Sequence, residues 1–320
     1  MVISKFNQEN DIPRVLELLK DDEAIKHRFQ NTLSRENDFI YVAELNGLTV
    51  GILIINIQSK RSVAITIYVN MSYRNLGIGS KLCLHADQLL QETPYIYAEC
   101  EMEANDVVAK FLEKRGYIRS YTVLRMERDN ILISPIELSD SSLAKRGIII
   151  RSYSDSDYLA YHNIVNVGFY IMRKKVCAIQ WYNPPSEQER VTLANSSCRY
   201  VLIDQDEIVA ICKIIGNDIA LLGVRPDKQL QGYGTLMLSH AINKIANEQS
   251  TDKITIGVLT GNPAEKLYRK MGFMEVCRNY NYVKFYKPDN RPNHPMGYEN
   301  DEAILEAFRC YGMLQEDMIP

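Results

Sequence analysis

The residues whose spacing carries chemistry are Gln229, Gly232 and Gly234, set in a polar turn between an apolar run and a helical pattern. Ile219-Ala220-Leu221-Leu222 predicts a buried strand, and Pro226 stops it because proline cannot donate to a sheet ladder. Beyond Gly234, Leu238, Ala241, Ile242 and Ile245 fall on one helical face. A glycine-bearing turn that opens a helix offers free N–H groups and the positive end of the helix dipole. Glycine also lets a phosphate approach the backbone. Anion binding is the chemistry implied. The spacing is not a P-loop, since no Gly-Lys-Ser/Thr follows, and it is not G-x-G-x-x-G.

About thirty residues on, Gly261-Asn262-Pro263-Ala264-Glu265-Lys266-Leu267-Tyr268-Arg269-Lys270-Met271-Gly272-Phe273 reads as a complete helix. Asn262 is the predicted N-cap, Pro263 the first helical residue and Gly272 the stop. Ala264, Leu267, Tyr268 and Met271 face inward, so by spacing alone Tyr268 is a core residue.

Both features occur twice. Val69, Arg74, Gly77 and Gly79 stand 155 residues before Val224, Gln229, Gly232 and Gly234. Asp106 to Gly116 precedes Asn262 to Gly272 by 156. A duplication of that period predicts two domains rather than a solenoid. The first copy has Asp106 and Leu112 where the second has Asn262 and Tyr268.

The paired motifs, Gln229-x-x-Gly232-x-Gly234 with the Asn262 helix and Arg74-x-x-Gly77-x-Gly79, resemble the GNAT superfamily of N-acetyltransferases. The resemblance spans nearly the whole chain. It implies a mixed α/β fold, two acyltransferase domains in tandem, each with a twisted sheet splayed between its fourth and fifth strands. It implies acetyl-CoA as donor, a primary amine as acceptor, direct transfer and no metal. Pantetheine would bond to strand backbone at Leu222 and Val224. The pyrophosphate would sit on N–H groups of Leu230, Gln231, Gly232, Tyr233, Gly234 and Thr235. Asn262 would join the coenzyme site, and Tyr268 would protonate the departing thiolate. Val69, Arg74, Gly77 and Gly79 are the corresponding coenzyme positions in the first copy. The intact helix around Tyr268 marks the second copy as the catalytic one. The alternative is a non-catalytic acyl-CoA-binding or regulatory protein that kept the fold.

The elements needed to position these residues are legible in outline. Each copy predicts a strand, helices, a three-strand meander, the motif helix, a fifth strand, a second helix and a closing strand. Asn46-Gly47 between Phe39–Leu45 and Leu48–Ile57 is a strong hairpin signal. The predicted boundaries are 1–133 for the first domain, 134–146 for a linker and 147–288 for the second domain. Residues 289–320 form a tether and a short C-terminal helix through which the chain could oligomerise. Tyr158 to Val167 and Glu187 to Ala194, flanking Asn183-Pro184-Pro185, read as helical, and the resemblance implies that this segment forms one wall of the acceptor site.

Other residues carry less. His85 and His240 hold equivalent positions in mid-helix, which favours packing. Glu99 and Glu101 share a strand face where a general base could stand or a solvated edge could run, whereas Thr255-Ile256-Gly257-Val258 has no carboxylate. Lys81, Lys228, Lys266 and Arg269 lie near the motif turns, within possible reach of phosphates.

Composition bounds the function. The 320 residues are 46% hydrophobic and 24% charged, an ordinary globular balance for two domains. A net charge of −3 argues against a nucleic-acid partner. No apolar run approaches the ~20 residues of a membrane span, and Met1-Val2-Ile3-Ser4-Lys5-Phe6 is no signal peptide. Seven cysteines without metal-like spacing fit reduced thiols. The expectation is a cytoplasmic enzyme acting on a small-molecule or peptide amine, without nucleic acid or membrane as partner.

Overall fold

The structure is a computed structural model that describes residues 1–35, 38–133, 147–170, 172, 185–195, 198–248 and 251–288. The predicted linker and the C-terminal helix lie outside the described residues. The chain forms two compact units, Met1–Arg119 with Tyr280–Asp289, and Ser120–Asn279.

Unit 1 contains β1 (Val2–Lys5), α1 (Gln8–Leu18), α2 (Glu23–Leu33), β2 (Phe39–Leu45), β3 (Leu48–Ile57), β4 (Ser62–Val69), α3 (Ile78–Gln91), β5 (Tyr97–Glu103) and α4 (Asp106–Glu113). The hairpin of β2 and β3 turns at Asn46 and Gly47, both at positive φ (52° and 78°), as a two-residue turn between twisted strands requires. The central strand β3 is buried on both faces. Ile52 and Ile54 pack under α1 and α2 with Val15, Leu19 and Phe29, while Leu53 and Ile55 pack under α3 with Leu82 and Ala86. Alternation of a strand's side chains divides one apolar run between two cores.

Unit 2 repeats the plan with β7 (Ile149–Ser152), α5 (Tyr158–Asn163), α6 (Glu187–Ala194), β8 (Arg199–Asp204), β9 (Glu207–Ile215), β10 (Asp218–Val224), α7 (Tyr233–Glu248), β11 (Lys253–Leu259) and α8 (Ala264–Lys270). After Asn163 the helix continues through a π-helical turn, Ile164–Gly168. On β9, Ala210 and Cys212 face α7, while Ile211 faces α5 together with Val201.

The compact units cut the chain differently from the repeat boundaries at 133 and 147. The closing strands are the reason. β6 (Ile118–Asp129), predicted to close the first copy, runs antiparallel to β11 from Val123↔Leu259 to Asp129↔Lys253 in unit 2. β12 (Met274–Phe285) delivers its second half to unit 1. There Tyr282 is fully buried with Ala109, Leu112 and Tyr117, and Lys284 Nζ meets Asp87 at 2.8 Å. The Tyr286 N–H donates to the Ile96 carbonyl at 2.8 Å, beside β5. No helix among the described residues is long and apolar enough to cross a membrane.

Candidate functional site

In unit 2 the parallel strands β10 and β11 pair only at Asp218↔Thr255 and Ile219↔Ile256, then diverge. The register of β10 against β9 shifts between Ile219 and Leu221, so Ala220 is an extra residue in the strand. A cavity of about 470 Å³ opens where the strands part. Leu222 and Val224 line one side, Ile256 to Leu259 the other, and Val123 of β6 also reaches it. Ile164 and Gly168 of the π-helical turn, with Phe169 and Met172, form a further wall. π-helical turns are frequent at functional sites because they shift a helix face by one residue. Residues 173–184 of the predicted acceptor wall lie outside the described residues.

The glycine turn is at the cavity, with Gln229, Leu230, Gly232, Gly234 and Thr235 in its lining. Its shape comes from residues in the left-handed region, Leu230 at φ 60° and Gly232 at φ 95°. The first copy matches at Asn75 (φ 64°) and Gly77 (φ 79°). Leu230 pays strain there and is fully exposed, which is unusual for leucine and fits a backbone held for its N–H directions. Thr235 and Leu236 donate their N–H groups to the Gly232 carbonyl at 3.0 and 3.1 Å. Among the described residues, Leu230, Gln231, Gly232 and Gly234 donate to no carbonyl, and their N–H groups remain for a ligand.

The side chains of the motif's first position do something the sequence did not suggest. Gln229 Nε2 donates to the Val224 carbonyl at 3.3 Å, and Arg74 Nε donates to the Val69 carbonyl at 3.0 Å. In both copies this residue ties the turn back to the end of its strand. Gln231 likewise donates to the Asp227 carbonyl at 3.2 Å. Tyr233 is buried, its hydroxyl on Asp204, so only its backbone faces the turn. Gly234 packs closely, a methyl there meeting Leu267 Cδ2 and Val224 Cγ2 at 3.5 Å. Gly79 is held alike between Phe111 and Val69.

Asn262 Oδ1 accepts from the Ala264 N–H at 2.9 Å and caps α8 across Pro263. In the first copy the cap is Asn105, accepting from Val107 and Val108, rather than Asp106 as the offset of 156 predicts. A one-residue difference before the helix explains the mismatch, and both copies carry an asparagine cap. Tyr268, 5% exposed, lines the cavity with its ring 6.2 Å from that of Phe273. It is the one ionisable side chain in the lining among the described residues. Burial pushes its phenol above the ordinary tyrosine value, so it stays a proton donor at neutral pH.

In unit 1 the equivalent turn meets an arginine. Arg115 stacks 3.7 Å over the Phe111 ring, donates to the Phe111 carbonyl at 3.0 Å and reaches Ser80 Oγ. Ser80 is the counterpart of Thr235. Leu112, the counterpart of Tyr268, is buried in the core. The β3–β4 register runs without a shift from Gly51↔Val69 to Ile57↔Val63, so the extra residue of β10 has no equivalent.

The remaining predicted residues divide plainly. His85 and His240 stack edge-on against Tyr41 and Tyr200 at 4.5 and 5.0 Å, and burial lowers both pKa values, as packing residues require. Arg269 is paired with Glu265 and Glu275, and Lys228 lies 3.8 Å from Glu207. Glu99 and Glu101 lie on β5 in unit 1, half-buried and exposed respectively. The described residues contain no group of side chains arranged for a metal ion. Val123 was not legible as a site residue; Ile164 falls within the predicted wall from Tyr158 to Val167, but the π form of its turn was not legible. Nothing in the sequence marks β6 as a wall of the second copy, and a π turn has no signal distinct from an α-helix.

Two family models match the chain, the Acetyltransferase (GNAT) family over residues 6–117 and an Acetyltransferase (GNAT) domain over residues 195–275. No curated protein sequence matches. Among solved structures, the chain is similar to a GCN5-related N-acetyltransferase from Sphaerobacter thermophilus at 17% identity and TM-score 0.68. That match covers 90% of this chain and 96% of the other. It is also similar to a tandem GNAT protein from the clavulanic acid biosynthesis pathway, at 13% identity, TM-score 0.60 and coverage of 90% and 99%. With a splayed sheet and a glycine turn in the second copy and family matches in both, the chain belongs to the GNAT acetyltransferases, as two such domains in tandem, and is an acyltransferase.

Proposed function

We propose that unit 2 moves an acetyl group from coenzyme A directly to a primary amine of a small molecule or peptide. The observation that carries this reading is the apolar cavity in the β10–β11 splay, with Tyr268 as the one ionisable lining residue among the described residues and the glycine turn beside it. The orphan N–H groups of Leu230 to Gly232 and Gly234 fit a pyrophosphate, and the diverging strands fit an extended pantetheine. The bound thioester supplies the electrophilic carbonyl. Backbone N–H groups of β10 beyond the extra residue orient and polarise that carbonyl. Tyr268 holds the proton that the leaving sulfur takes. With no carboxylate or histidine among the described lining residues, the amine loses its proton to water or enters neutral. Dry apolar walls favour the neutral amine, which is the nucleophile.

Unit 1 is the scaffolding copy in this proposal. Arg115 occupies the space between Ser80 and Phe111, and Leu112 cannot donate a proton. The test is incubation with acetyl-CoA and a panel of primary amines, following release of free thiol. Acceptor-dependent thiol release is expected, lost in Gly234→Trp and retained in Gly79→Trp. Coenzyme binding without thiol release from any amine would favour the non-catalytic acyl-CoA-binding reading instead.

A further inference from the structure

Arg199 opens β8 and is 7% exposed, and its Nε and Nη1 atoms are buried without a hydrogen-bond partner. A guanidinium cannot shed its proton, and a buried, unpaired charge is among the more costly things a fold can hold. The neighbouring carboxylates are already engaged. Asp157 accepts two bonds from Arg151, at 2.6 and 2.8 Å, and another from the Ser154 N–H at 2.7 Å. Asp155 is paired with Arg190 Nε at 2.9 Å. On the same sheet face, Arg199 pairs with Lys213 of β9, which pairs with Leu221 of β10, so that row adds a second cation and no acid. The stretches outside the described residues nearest in sequence, 171, 173–184 and 196–197, contain no Asp or Glu.

Tyr153 and Tyr161 complete the cluster. Their rings meet edge to face at 5.3 Å; the Tyr153 hydroxyl is buried without a partner, and the buried Tyr161 hydroxyl has no well-formed hydrogen bond beyond lying against the Arg199 side chain. The Tyr153 N–H donates to the Arg199 carbonyl at 2.9 Å, fixing the loop after β7 against β8. Burial raises both phenols, and the Arg199 charge acts on both in the opposite direction, so the three groups lie within one electrostatic neighbourhood. Two N–H and two O–H groups, each able to donate, thus come from β8, the loop after β7 and α5. Water would satisfy hydrogen bonds there but leave the charge unbalanced.

We infer that Arg199, Tyr153 and Tyr161 form an enclosed site for one small monovalent anion, of halide or short carboxylate size. It is separate from the acyl-donor cavity, since none of the three lines that cavity. Its existence does not depend on the proposed acetyl transfer.

The experiment is thermal unfolding of the full chain in gluconate buffer, titrated with chloride, formate or phosphate at constant ionic strength. Chloride or formate should raise the unit 2 midpoint saturably, by ~5 °C at high occupancy, and phosphate should not. Chloride against formate separates a halide from a carboxylate as occupant. Arg199→Met should remove the saturable shift. Tyr161→Phe and Tyr153→Phe should each raise the half-saturating concentration about 10-fold, the scale of one hydrogen bond to a charged group. A midpoint indifferent to all three anions in the wild type would overturn the site, as would an equal saturable shift in Arg199→Met. Should Arg199→Met not fold, half-saturation unchanged in both tyrosine variants would overturn it equally.

Discussion

At the scale of single residues the chemistry rests on a phenol and on backbone. Tyr268→Phe should leave the thermal shift produced by coenzyme A within a few tenths of a degree and lower kcat about 10²–10⁴-fold, the scale of a lost general acid. Steady-state kinetics beside a melting curve measures both, and unchanged turnover would return Tyr268 to core packing. Because burial raises this phenol, the alkaline limb of the kcat profile should lie above the ordinary tyrosine value in the wild type. That limb should vanish in Tyr268→Phe. Gly232, at φ 95°, carries the turn, and alanine there should cost about 1–2 kcal/mol of backbone strain. The same substitution should weaken coenzyme binding, read as a smaller ligand-induced shift. Gln229→Ala leaves the glycines in place but frees the Val224 carbonyl, so its loss should appear as poorer coenzyme affinity with little change in kcat.

At the scale of elements, two turns of the same sequence pattern meet different surroundings. What differs is the partner each turn meets. Arg115 lies over Phe111 and reaches Ser80 at the first turn, whereas its counterpart Met271 packs against the apolar core of unit 2. Calorimetry should therefore find one coenzyme A bound per chain. Arg115→Ala should raise that number towards two, and a stoichiometry of two in the wild type would show that the arginine moves aside. The glycines, the cap at Asn262 and the strand–turn–helix order were legible because each depends on local backbone rules. The Arg115 contact with Ser80 was not, since it depends on where a long side chain lands across a 35-residue separation. The shifted cap, Asn105 in place of Asp106, was missed for a related reason. A fixed repeat offset carries residues over one by one and cannot register an extra residue in a loop. The extra residue at Ala220 is likewise invisible in an unbroken apolar run.

At the scale of the whole chain, the repeat predicted two domains and the structure has two units, but their edges differ. Residues of β12 from Tyr280 on complete unit 1, and residues of β6 from Ser120 on complete unit 2. The fragments 1–133 and 147–288 should therefore each lack a strand. Neither alone should show a cooperative unfolding transition by circular dichroism, and co-expression should restore it. Independent, fully cooperative melting of both fragments would show the exchange to be dispensable. The same feature bears on synthesis. Residues 120–279, all 160 of them, must leave the ribosome after Arg119 and before Tyr280 appears. At ordinary elongation rates that is roughly 10–30 s. For that interval Leu112 and Tyr117 have no Tyr282 to cover them. The nascent first half thus offers a timed apolar surface, which a chaperone that binds nascent chains would be able to hold.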